Sequence, residues 1–239
     1  MYFNDVHILY YVLVTIIGGI VGQFVDYCNR CFLKEQKILS KESFSKYKRV
    51  ILPNYLLIAV TIIGYIALVY KFGIHNGLLE NLDLIKYMLL LPMLLCAFVV
   101  DLKEQIIPNR LNLLMFEIGL VFVFLHGFIN INFALNELLG MLAGGGIFLL
   151  ITLIGGLIAG KEAMGMGDVK LMGALGVFFG LANTITITLM SFLIGAILSI
   201  ILLATKIKKT DEYIPFGPFI VISAIITIFV PFNTLFTIS

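Results

Sequence analysis

Long apolar runs alternate along this chain with short polar breaks. At roughly 20 apolar residues per crossing, the pattern predicts membrane helices over 6–26, 51–71, 85–100, 110–129, 137–159, 169–181, 184–205 and 216–236. Residues 169–205 read either as one long helix or as two helices turning near Gly180–Asn183. If two, the first is short, ~20 Å at 1.5 Å per residue, and its inner end starts below the headgroups. Glycine pairs at the small-xxx-small spacing punctuate the runs: Gly18/Gly22, Gly140/Gly144, Gly156/Gly160 and Gly176/Gly180. Such pairs let membrane helices approach closely. The fold class expected is all-α, a polytopic membrane bundle of about eight spans.

The composition agrees, with 61% hydrophobic and only 13% charged residues, where a soluble domain is about one quarter charged. Ordinary soluble enzymes, disordered chains and disulfide scaffolds are excluded, and three cysteines build no disulfide framework. The net charge of +2 says little until the basic residues are located. The polar loop 27–50 carries Arg30, Lys34, Lys37, Lys41, Lys46, Lys48 and Arg49. With that loop inside, eight spans also place Lys103, Arg110, Lys161, Lys170, Lys206, Lys208 and Lys209 inside, and leave only Lys71 and Lys86 outside. Short basic loops stay in the cytoplasm, so both termini are expected outside. One helix over 169–205 would move the last three lysines outside, which favours two. Met1–Tyr11 has Asp5 and no Lys or Arg before the apolar run, unlike a secretory signal, and is read as a retained first helix. The expected organisation is a two-span region over 1–84 and a six-span region over 85–239.

Several membrane-enzyme signatures are missing: no His-Glu-x-x-His, no Gly-x-Ser-x-Gly and no P-loop, with His7, His75 and His126 scattered. Two acidic segments stand out. Asp101 directly follows the apolar run Leu89–Val100, at the C-terminal, negative end of a helix dipole. It reads as an ordinary interfacial acid or as a functional one. Pro108 and Asn109 then restart the chain as a helix. Asp168 follows Gly165 and Gly167 at the start of the short helix. Helix N-capping would explain the acid, but two glycines exceed a cap's needs and permit close backbone approach. Two carboxylates on inner helix ends are the parts of an aspartic protease dyad, which shares one proton. The helix-end fields favour a charged, basic Asp168 and a protonated, acidic Asp101. Glu117, ~13 Å into its helix, is an intramembrane acid that reads as polar support through an interhelical hydrogen bond. Pro215, Gly217 and Pro218 break the chain before the last helix, either as a simple helix boundary or as an extended wall for an unwound substrate.

The run Met164-Gly-Met-Gly-Asp-Val-Lys-Leu171 resembles the Gly-x-Gly-Asp motif of the type IV prepilin peptidases, and Asp101 with Ile107-Pro-Asn109 resembles their first aspartate segment. Ile214-Pro-Phe-Gly-Pro-Phe219 is similar to their third element. The likeness covers about residues 85–236. It implies that Asp101 and Asp168 are catalytic, with Gly165, Gly167, Lys170, Pro108, Asn109, Pro215, Gly217 and Pro218 shaping the site. It also implies cleavage of a short basic leader from a prepilin or pseudopilin helix. The setting implied is the cytoplasmic face of a bacterial inner membrane, with the lipid bilayer as the other partner and no nucleic acid.

The resemblance implies no cofactor for cleavage. Family members with two Cys-x-x-Cys pairs imply a zinc site, whereas this chain has Cys28-Asn-Arg-Cys31 alone, half of a four-coordinate site, so no metal is expected. Gly18–Phe24 matches the family's N-terminal element only loosely, so S-adenosylmethionine and N-methylation are not carried over. The basic loop instead suits anionic lipid. A secondary transporter is the alternative from another class, but it calls for polar residues near the bilayer midplane. The presenilin-like proteases share Gly-x-Gly-Asp, yet their Tyr-Asp and Pro-Ala-Leu segments are missing here.

Overall fold

The structure is a computed structural model that describes residues 2–3, 6–33, 54–75, 77, 79–159, 164–205 and 214–231. Apart from a minimal antiparallel hairpin (β1, Tyr2–Phe3; β2, Val6–His7), the described residues are helical. The helices are α1 (Ile8–Leu33), α2 (Tyr55–Phe72), α3 (Leu82–Glu104), α4 (Asn109–Ile129), α5 (Ile131–Ala159), α6 (Met166–Ala204) and α7 (Gly217–Phe229). Six helical segments are long and apolar enough to cross a membrane, and α7 is a shorter apolar helix. The chain divides into two compact units, Met1–Lys103 and Glu104–Ser239.

In the first unit, α1 continues seven residues past its expected end at 26. The stretch expected to begin a polar loop is therefore helical to Leu33. Nothing between Tyr27 and Leu33 breaks a helix, and Tyr27, Cys28, Asn29 and Cys31 are buried. Buried Asp26 accepts from Arg30 Nε at 3.1 Å and from the backbone N–H of Asn54 at 3.5 Å. Asn54 in turn caps α2, its Oδ1 accepting from Leu57 N. The basic residues from Lys34 to Arg49 lie outside the described residues, as do Lys161 and Lys206–Lys209.

Helix α3 contains Pro92, which lacks the N–H that would bond the Met88 carbonyl four residues earlier. The Tyr65 hydroxyl of α2 donates to that carbonyl at 2.8 Å. A freed carbonyl at membrane depth needs such a donor, since lipid supplies none.

In the second unit, α5 and α6 make the most extensive contact. Their seam is the two glycine pairs: a Cβ on Gly140 would strike the Gly176 carbonyl, and one on Gly176 the Gly140 carbonyl. Helix α6 is two helices joined at Gly180, whose φ of 72° and ψ of 177° are non-helical. The turn lies within the region expected from the sequence. Asn136 Oδ1 accepts from Leu181 N at 3.3 Å and the Thr184 hydroxyl donates to the Gly180 carbonyl at 2.6 Å, so the break leaves these backbone groups bonded. Phe216 contacts Phe148, Phe192 and Phe219 with ring centroids 5.0–6.0 Å apart, seating the start of α7 on α5 and α6.

Candidate functional site

Asp101 sits in the last turn of α3 and is 3% exposed. The helix stops at Glu104, and Gln105 takes the left-handed conformation with φ 56°, where a helix C-terminus usually places glycine. Ile106 to Pro108 are irregular, with Ile107 buried. Pro108 is the N-cap of α4, one position earlier than the first helical turn expected for it, and its carbonyl accepts from Leu111 and Asn112. α4 then begins at Asn109.

Asp168 sits in the first turn of α6, 4% exposed. It is the third helical residue rather than the cap, and its N–H donates to the Gly165 carbonyl at 3.0 Å. Two hydrogen bonds tie this segment to the start of α4. Asn112 Nδ2 donates to the Gly167 carbonyl at 3.1 Å, and Lys170 Nζ donates to Asn109 Oδ1 at 2.8 Å. A Cβ on Gly167 would lie 3.4 Å from Ile107 Cβ, an ordinary contact, so packing among the described residues does not itself demand glycine there.

The structure therefore brings Pro108, Asn109, Gly165, Gly167, Asp168 and Lys170 together in the second unit, while Asp101 belongs to the first. Asn112 was missed from sequence. Its signal was an amide among apolar neighbours one turn into a membrane helix, where a polar side chain needs a reason. The backbone carbonyl that matters, that of Gly167, is 55 residues away, so no local pattern pairs them.

Other expected site residues fare differently. Gly217 and Pro218 are the first residues of α7, with Pro218 where a missing N–H costs nothing. Any extended wall is thereby confined to 214–216, with Pro215 buried. Glu117 is exposed on an outward face of α4 with Leu113, Leu120, Val121 and Phe124. Among the described residues it makes no interhelical hydrogen bond.

Cys28, Cys31 and Cys96 are free and buried, and among the described residues no group of three His, Cys, Asp or Glu side chains could hold a metal. The cysteine pair does not fit a structural zinc site, because two thiolates on one helix supply half its ligands.

Residues 88–200 match the model of the type IV leader peptidase family. Relatives described as prepilin leader peptidase/N-methyltransferase include one from Aeromonas hydrophila, 33% identical over 124 residues, covering 52% of this chain and 42% of the relative. One from Legionella pneumophila is 33% identical over 149 residues (62% and 51%), and one from Stutzerimonas stutzeri 30% over 161 residues (67% and 52%). The chain thus spans about half the length of the curated relatives it matches. No solved structure matches it. The matched segment contains Asp101, the Ile-Pro-Asn segment and the Gly-Met-Gly-Asp segment, and it is in this part of the chain that the similarity to the type IV leader peptidase family lies.

Proposed function

We propose that the chain is a membrane aspartic endopeptidase that removes the short, positively charged leader of type IV prepilins or pseudopilins. The observation that carries this is the joining of the Ile-Pro-Asn and Gly-Met-Gly-Asp segments through Asn112–Gly167 and Lys170–Asn109, with Asp168 buried beside them. Asp101 and Asp168 are the catalytic pair of this reading. Asp168, in a first helical turn, is favoured as carboxylate, and Asp101, in a last turn, as neutral acid. Asp168 takes a proton from water as its oxygen attacks the scissile carbonyl carbon, and Asp101 donates its proton to the carbonyl oxygen. Collapse of the tetrahedral intermediate returns that proton to Asp101 and breaks the C–N bond, and the leaving nitrogen takes the proton held by Asp168. The pair titrates as a unit.

In this reading the chain crosses a bacterial inner membrane eight times, counting both halves of α6 and α7, with both termini outside and the site at the cytoplasmic face. Residues 1–84 form a two-span region and 85–239 the six-span peptidase region. Cleavage needs no cofactor, and neither zinc nor methylation by S-adenosylmethionine belongs to the proposal. The test is cleavage of a prepilin in membranes carrying the wild type, Asp101→Asn or Asp168→Asn. Both variants are expected to lose activity by at least ~1000-fold, on the scale of losing an essential catalytic group. Undiminished cleavage by either overturns the assignment.

A further inference from the structure

Two rungs join the first turns of α4 and α6, and they are not equal. The bond from Lys170 Nζ to Asn109 Oδ1 is exposed, where water competes for both partners and little net energy is left. The bond from Asn112 Nδ2 to the Gly167 carbonyl is shielded, since Asn112 is only 4% exposed. The buried rung is therefore the one able to hold the two helix starts in a fixed relation.

Stability does not explain the amide that makes it. Asn112 Oδ1 is buried with no donor among the described residues, and such an orphaned acceptor costs at least as much as one hydrogen bond on Nδ2 returns. The Gly167 carbonyl does not depend on the amide either, because carbonyls in the first turn of a helix already accept intrahelical bonds. Leucine, close in shape, would remove the orphaned acceptor and leave the Gly167 carbonyl served.

What the amide supplies is position. The residue after Gly167 is Asp168, itself 4% exposed. The stretch leading into it, Gly165-Met-Gly167, contains two glycines, whose backbones restrain the chain least. Asn112 grips that stretch at its last residue, from a helix 55 residues away in sequence. A displacement of about 1 Å at a reacting group can cost on the order of 100-fold in rate.

We propose that Asn112 is a positioning residue for the cleavage reaction: by holding the Gly167 carbonyl it fixes where the Asp168 carboxyl stands against the scissile bond. The proposal rests on the peptidase reading and adds to it a residue that acts through Asp168.

The experiment uses the full chain in liposomes with a synthetic precursor peptide carrying a basic leader and an apolar segment. Asn112→Leu is expected to lower kcat at least about tenfold, to keep KM within about twofold, and to melt no lower than wild type. Asn112→Asp keeps the shape, but its carboxylate cannot donate to a carbonyl, whereas the protonated carboxyl can. Its kcat relative to wild type is expected to rise at least about fivefold from about pH 8 to about pH 5, while the ratio for Asn112→Leu stays flat. Unchanged kcat in Asn112→Leu overturns the role. So does a lower kcat that comes with a lower melting temperature and no pH dependence in Asn112→Asp, the mark of a structural residue. A raised KM at unchanged kcat overturns it as well, by placing Asn112 against the substrate. If Asn112→Leu does not accumulate, the pH dependence of Asn112→Asp decides alone. If the wild type cleaves nothing, the peptidase reading fails and this role falls with it.

Discussion

At the scale of single residues, Gly167 separates packing from function. A methyl there meets Ile107 at an ordinary distance, so Gly167→Ala should reach wild-type levels in membranes. If glycine is kept for substrate approach, cleavage should fall at least tenfold; unchanged cleavage would remove Gly167 from the site. Gln105 is a residue whose conformation, not its contacts, sets the expectation. Its positive φ costs about 1–2 kcal/mol without glycine, so Gln105→Gly should raise the melting temperature of the detergent-solubilised protein. The two aspartates and their neighbouring glycines were legible because membrane sequences carry few acids, and each needs explaining. Asn112 was not, since its partner is the backbone of a distant segment.

Among elements, the helices were legible from apolar run length, and two of the four glycine pairs read as close-packing sites, Gly140/Gly144 and Gly176/Gly180, meet at the α5–α6 seam. Gly140→Leu or Gly176→Leu forces a side chain into a carbonyl of the facing helix and should abolish accumulation of folded protein, measured by size-exclusion monodispersity. At Gly180 an alanine meets both a left-handed backbone and the Asn136 side chain. Gly180→Ala should therefore cost at least ~1–2 kcal/mol in a reversible unfolding assay. The proline of α3 gives a subtler case. Tyr65→Phe withdraws the donor that the Met88 carbonyl receives in place of an amide, and a loss of about 1 kcal/mol is expected. The end of α1 was misread because charge density, rather than any helix breaker, suggested a loop. The acid at the expected boundary, Asp26, is bonded there by Arg30 and Asn54.

For the whole molecule, the proposed orientation follows from where charge sits, since an eight-crossing topology puts 14 of the 16 Lys and Arg residues on one side. A reporter active only in the cytoplasm should give signal when inserted in 34–50 and none when fused near residue 77; the opposite pattern overturns the topology. The sequence by itself determined that this is a polytopic membrane protein, roughly where most of its helices run, and which acids invite a catalytic reading. It could do so because lipid penalises polar atoms so heavily that run length and charge position become local, additive signals. Only the tertiary structure decided that Glu117 faces outward and that Gly217 and Pro218 begin a helix rather than line a wall. It also decided that Asn112 and Lys170 fasten two distant segments around Asp168. Those outcomes depend on which side chain meets which backbone across helices, and that is a property of packing, which no window along the chain contains.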